Sequence, residues 1–511
     1  MGKTQQIYDL KNKHKIIVWS QDKENDIFSK SLRISKLSFG RFKKMKSREI
    51  DFTQGNPTNL IMSFYWPLLM TSALQQFYNF ADTWIVGKGL GDNALAAVGN
   101  MGSLFFLIVG FSFGIANGFG VMIAQSYGAK RIEELKHRLS AVIELGIVIS
   151  VLLSALSVIF LPAALRFLKT DEIIMNDSLI YGYIVFGGLA TGICYNISAA
   201  ILRALGDSKT PLKAIVISSV INVVLNCFFV FTVKIGVAGV AIATIIAQVI
   251  SSIFCINRIK KIPQVSLEKK YFHNEARVFA DLLKNGLPMA FMNSITAIGC
   301  MVVQLFVNSY GVVYTAAYAA CSKYLNLFMN PASTAGNAMS AYTSQNYGAG
   351  EFRRIREGLR VCLTISAVSY ILFGALMIFA PRQLAQILLS GSEQIKLACL
   401  FLPRCGIMMI FVDCLFVIRS GVQGMGKPML PMISGILEMI LRIAVISTLM
   451  GSLGFTATAY AEISAWVGAL AINAYAFRKT LKPLIEQEKK DLSYSEMTIF
   501  RNERNKVHGA L

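Results

Sequence analysis

Charge is scarce in this chain. Asp, Glu, Lys and Arg make up 15% of its 511 residues, against about 25% in an ordinary soluble domain. Hydrophobic residues make up 54%, and the mean hydropathy is +0.53. That balance excludes a soluble globular fold. Histidine is nearly absent too. His14, His137, His273 and His508 all fall in expected tails or loops, so no histidine proton relay crosses the apolar runs. There is no HExxH, no GxSxG and no His/Asp pair within a run, so no catalytic cluster is visible and the chain does not read as an enzyme. No Walker motif exists, which removes ATP as a direct energy source. The nine cysteines (Cys194, Cys227, Cys255, Cys300, Cys321, Cys362, Cys399, Cys405 and Cys414) show no CxxC spacing and sit inside apolar runs. They read as small hydrophobes, not as a disulfide framework or metal site. No cofactor is implied. A signal peptide is not expected either, because "IIVW" (16–19) is far too short for an h-region.

Long apolar runs are what the chain has instead. They recur at the length of about 20 residues that spans a bilayer as a helix. Twelve are expected, near 60–87, 94–124, 139–164, 179–204, 211–232, 238–257, 286–309, 316–342, 360–381, 397–422, 431–450 and 454–477. The fold class is therefore an all-α polytopic membrane protein. The formal charge of +21 does not point to nucleic acid, because Lys and Arg cluster between the runs. The N-terminal tail, "AKRIEELKHR" (129–138), the loop 258–285, "EFRRIREGLR" (351–360) and the C-terminal tail are basic, while the alternate loops are nearly bare. By the positive-inside rule both termini are cytoplasmic, in a plasma membrane protein. The expected divisions are a basic tail (1–54), a six-helix lobe (55–257), an inter-lobe loop (258–285), a second six-helix lobe (286–478) and a C-terminal tail (479–511).

The two lobes repeat. "AQSYGA" (124–129) matches "SQNYGA" (344–349), and "GDNALAA" (91–97) aligns with "GVVYTAA" (311–317), both at an offset of 220. Gly206 and Pro211 align with Gly426 and Pro431 at the same offset, and Pro67 with Pro288 one residue off it. Six spans per half is an even number, so both halves enter the membrane in the same sense. The lobes are then related by a parallel pseudo-twofold, and the cleft between them is the expected binding site.

In combination and in this order, "DTWIVG" (82–87), "GDNALAAVG" (91–99), "QSYGA" (125–129) and "ILRALGDSKTP" (201–211) resemble the multidrug and toxic compound extrusion (MATE) family. The resemblance covers about residues 55–478. It implies two six-helix bundles forming a V, alternating access, and export of organic cations in exchange for sodium ions or protons.

Five acids lie within spans: Asp82, Glu144, Asp413, Glu438 and Glu462. A carboxylate at hydrocarbon depth is costly unless it is compensated. Asp82 has no basic partner at depth. Asn196, Thr244 and the i, i+4 pair Asn222 and Asn226 offer amide and hydroxyl oxygens instead. One carboxylate with such oxygens suits sodium, and equally cages a protonatable acid. The resemblance implies the same set, Asp82, Asn196, Asn222, Asn226 and Thr244, as a cation-coupling site. One branch of the family can carry an acid where this chain has Asn226, which leaves the ion open. In the second half Asp413 shares its span with Arg404 and Arg419, Glu438 stands four residues before Arg442, and Lys323 lies in the eighth span. These four (Asp413, Glu438, Arg442 and Lys323) are expected to form a substrate-cavity or secondary charge site, with the acids fixed by basic neighbours. Asp413 resembles an acid that another branch carries on its tenth helix, but the seventh span here has no acid. Glu144 and Glu462 are expected at span ends, solvated or paired.

The leading function is a monomeric secondary antiporter for small organic cations, with membrane lipid as its surroundings. A flippase for lipid-linked oligosaccharide, of the same superfamily, is the alternative; it calls for a strongly cationic cavity, and the first half offers little beyond Arg203. No repeated pore segment suggests a channel. The stretch 27–46 interleaves basic and apolar residues and reads as a disordered tail, with attachment to anionic lipid as the alternative.

Overall fold

The structure is a computed structural model and describes residues 49–168 and 170–508. The basic stretch 27–46 lies outside them. Among the described residues the regular structure is helical throughout. The first half comprises α1 (Pro57–Leu90), α2 (Asp92–Gly128), α3 (Ile132–Phe167), α4 (Glu172–Gly187), α5 (Leu189–Ala204), α6 (Lys209–Cys227) and α7 (Val237–Ile259). The second comprises α8 (Ala276–Asn308), α9 (Val312–Ala349), α10 (Phe352–Phe379), a short α11 (Pro381–Leu388), α12 (Ser392–Gly424), α13 (Met429–Leu453) and α14 (Thr456–His508).

Every expected span falls on a helix. The run 179–204 covers two, because the chain bends by 45° where α4 meets α5 at Gly188. Among the described residues eight helices are each long and apolar enough to cross a membrane, and the bent pair makes a ninth. The other three slots belong to α1, α9 and α14, whose polar residues lower their hydropathy. The inter-lobe connection is shorter than 258–285, since α8 already begins at Ala276. Residues 479–508 continue α14 as helix.

The duplication is written in the backbone. Positive φ angles occur at Gly91 and Gly311, at Lys130 and Gly350, and at Gly206 and Gly426. Each pair is separated by the same 220 residues. These turns end corresponding helices in both lobes. At Gly206 a side chain is excluded twice over. Its φ of +86° strains any L residue, and a Cβ there would lie 2.1 Å from the carbonyl oxygen of Ile50.

The first helix of each lobe reaches into the other. In α8 the backbone at Gly286 and Ala290 packs directly on Gly118 and Gly114 of α2, where a Cβ would come within 2.5 and 2.6 Å. In α1, Phe64 and Leu68 join Ala335, Ala338, Met339 and Tyr342 of α9 in one buried cluster. Small residues allow such close approach in a bilayer, where packing rather than hydrophobicity holds helices together.

The lobes also meet end to end on the side of the basic loops. A Cβ on Gly128 would lie 2.0 Å from the Gln345 carbonyl oxygen, and one on Gly348 would lie 2.0 Å from the Gln125 carbonyl oxygen. This reciprocal contact is what a twofold axis produces. Residues 49–55 cross the same junction as a strap. Glu49 pairs with Arg258 at 2.6 Å, and Ile50 N donates to the Gly206 carbonyl at 3.3 Å. Phe52, fully buried, then packs on Phe64 and Tyr342. Its N–H donates to Gln345 Oε1 at 3.0 Å, and its carbonyl accepts from Arg354 at 2.9 Å.

Candidate functional site

Asp82 sits in the second half of α1, facing α6. The approach is close because Gly89, two turns on, leaves room: a Cβ there would meet Val230 at 2.3 Å. Val230 belongs to a π-helical segment, Phe228–Val233, that continues α6 directly after Asn226 and Cys227. Such widened turns collect at functional sites. Asn222 and Asn226, one turn apart and fully buried, face Asp82 together. Asn226 Nδ2 donates to Asp82 Oδ1 and to Asn222 Oδ1, the latter at 2.8 Å. Asn222 Nδ2 reaches Thr244 Oγ1 of α7 at 3.5 Å. Thr244 in turn donates to the Val240 carbonyl at 3.0 Å.

The buried Asn226 Oδ1 has no hydrogen-bond partner among the described residues. Asn222 and Asn226 both bring an amide to Asp82 Oδ1, and the Asn222 amide can turn over to donate to it at 2.9 Å. A proton on Asp82 or a hard cation beside Asn226 Oδ1 would give that oxygen a partner.

Tyr78 completes the cluster, and sequence reasoning missed it. Its hydroxyl lies beside Asp82 and Thr244. The available signal was its place four residues before Asp82 on the same helix face. Asn196 is not brought into the cluster; its Nδ2 donates to Ser112 Oγ at 3.3 Å. It nevertheless lines, with Gln75, Tyr78, Ser112, Thr244 and Gln248, a cavity of about 440 Å³ inside the first lobe. That volume is within the range of small-molecule sites.

The second lobe holds a chain of charges. Arg419 of α12 pairs with Glu438 of α13. Glu438 also lies 3.6 Å from Arg442, and Arg442 binds Glu462 of α14 at 3.1 Å. Tyr318 of α9 donates to Glu462 at 3.3 Å. Two arginines and two glutamates therefore cancel while tying four helices together. Glu462 is buried in this network and paired, not solvated at a span end.

Two expectations fail here. Lys323 is exposed and takes no part in the network. Asp413 is not held by Arg404 or Arg419. Arg419 turns to Glu438, and Arg404 donates to the carbonyl of Leu400 one turn earlier on its own helix. Asp413 is fully buried, and neither carboxylate oxygen has a hydrogen-bond partner among the described residues. The reason is angular. Positions six and nine residues apart do not share a helix face with a short acid between them.

The MatE family model matches the chain twice, over residues 67–228 and 288–448. The chain belongs to the MATE family of membrane transporters. The two matches repeat the offset seen in the backbone turns. The probable multidrug resistance protein YoeA of Bacillus subtilis is 30% identical over 346 residues, covering 66% of this MATE chain and 74% of its own. The probable multidrug resistance protein NorM of Thermotoga maritima is 23% identical, with 82% and 89% covered. Among solved structures, a crystal structure of a MATE protein in the bent conformation superposes with a TM-score of 0.80 at 20% identity, covering 87% of this chain and 99% of that one. The fold of this MATE protein is thus twelve spans in two lobes, with α4 and α5 sharing one bent span and the short α11 making none.

Proposed function

We propose that this MATE transporter is a secondary antiporter. It exports lipophilic organic cations in exchange for sodium ions or protons, with its basic loops and both termini in the cytoplasm of a plasma membrane. The reading rests on the Asp82 cluster: one carboxylate at membrane depth, met by the amides of Asn222 and Asn226, with no cationic side chain paired to it among the described residues. Ion loading at Asp82 neutralises the cluster and ion release recharges it. The cluster lies between α1, α6 and α7. A change in its charge therefore alters how α1 seats on α6, and α1 is also the helix that packs into the second lobe. That shared helix is the route by which ion binding biases the lobes. The names of the relatives, multidrug resistance proteins, support drugs and dyes as cargo. The polar and aromatic lining of the first-lobe cavity fits an amphipathic cation through cation–π contact with Tyr78 and Phe105.

Proteoliposomes loaded with ethidium test the reading, with sodium and pH gradients imposed separately. Efflux that follows one gradient and disappears without it is the expected result. Efflux indifferent to both gradients would overturn ion coupling.

A further inference from the structure

The geometry points to a binding site for one anionic phospholipid on the outer flank of the first lobe, separate from the transport cavity. The site follows from the break at Gly188. Bending there by 45° turns α5 away from the line of α4. A groove is left between α3 and α7, with α5 as its floor. Small and branched side chains make that floor: Ala190, Cys194, Ile197 and Ser198. One wall is the α3 stripe Ile143, Ile147 and Val151, three residues at four-residue spacing. The cavity holds about 700 Å³, enough for a drug-sized molecule and so for the greater part of an acyl chain.

Its composition selects the occupant. The lining is almost wholly aliphatic, as an acyl chain requires. Ile147 and Val151 are 62% and 65% exposed, so the groove opens sideways to hydrocarbon and not to the space between the lobes. At its basic-loop end stands Lys260, the residue just after α7, with Ser266 also lining the groove. Lys260 is exposed and makes no ion pair among the described residues. Its neighbour Lys261 is exposed as well. An ammonium at the headgroup level of an apolar slot attracts a phosphate. The same charge repels a lipophilic cation, which separates this groove from the cargo path. Only the name of the leaflet, the cytoplasmic one, depends on the orientation proposed above.

The test is lipid retention. Purified protein is equilibrated with equal amounts of phosphatidylglycerol and phosphatidylcholine, washed in detergent, and its retained lipid is quantified by mass spectrometry. Wild type is expected to keep phosphatidylglycerol about fivefold over phosphatidylcholine, the factor one lysine supplies at a membrane surface. Lys260→Gln should bring that ratio close to one without lowering the total. Ile147→Trp fills the slot from an exposed position and should lower retention of both lipids. The site is refuted by a wild type without headgroup preference, by a Lys260→Gln protein that keeps the preference, or by unchanged retention in Ile147→Trp. Displacement of the retained lipid by excess ethidium would also refute it and give the groove to the cargo.

Discussion

Gln125 and Gln345 do the same work for opposite lobes. Gln125 Nε2 donates to the carbonyl of Gly424 at 3.0 Å, and Gln345 Nε2 donates to the carbonyl of Ala204 at 2.8 Å. Gly424 and Ala204 are the last residues of α12 and α5, whose terminal carbonyls have no partner within their own helix. Each lobe therefore finishes a helix of the other, and opening this end exposes both carbonyls together.

The junction leaves no space for a methyl group. Gly128→Ala and Gly348→Ala should each hold the lobes apart on the basic-loop side. Alkylation of a Ser344→Cys reporter, in a background lacking the native cysteines, should rise at least several-fold with either change, because Ser344 is fully buried in this arrangement. Unchanged protection would show that the lobes can close around the extra carbon.

At the ion cluster, Asp82→Asn should fold and still bind dye, since a neutral amide costs less to bury than an uncompensated carboxylate. Gradient-driven efflux should fall to the level of empty liposomes. Full efflux by this variant would reduce Asp82 to a packing residue and make Asp413 the next candidate. Asn226→Ala removes the amide that donates to Asp82 and should cost about 1.5 to 3 kcal/mol of ion affinity, the range for hydrogen bonds to charged groups. It is read as a shift in the ion concentration giving half-maximal transport.

Glu438→Leu strands Arg419 and weakens the setting of Arg442, so it should destabilise the protein by about 3 to 5 kcal/mol. Thermal unfolding in detergent measures this. The double change Arg419→Met with Glu438→Leu removes both charges and should recover most of the loss. A single variant as stable as wild type would mean the network carries no structural role.

Phe52→Ala should act on the conformational balance more than on folding. Phenylalanine-to-alanine changes in cores cost about 3 to 5 kcal/mol, and here the lost contacts are with Phe64 and Tyr342 across the junction. The expected signature is the same rise in Ser344→Cys alkylation, with thermal stability lowered less than in Glu438→Leu.

Much of this architecture is legible in the residues because helices in a bilayer announce themselves by length, and a duplication announces itself by period. The pairing of Asp82 with Asn222 and Asn226 was partly legible, since residues four apart share a face. Which face meets which helix was not. Asn196 points to Ser112, while Tyr78 turns to Asp82. The second lobe was harder to read. Local spacing suggests Glu438 with Arg442, but the nearer partner of Glu438 is Arg419 on another helix, and Glu462 comes from a third. The isolation of Asp413 is likewise a product of packing.

The strap before α1 has no true counterpart. At the matching offset after α7 stands Phe272, which is 42% exposed. Its buried neighbour Tyr271 stays within the first lobe, bonded to Glu133 and Lys136 of α3. Phe52 crosses instead. A duplicated machine has thus become handed: one half is buttoned to the other, and the reverse fastening is missing. The seam is therefore fastened from one side: Phe52 ties the segment before α1 to Tyr342 of α9, and Phe272 at the matching offset does not cross back.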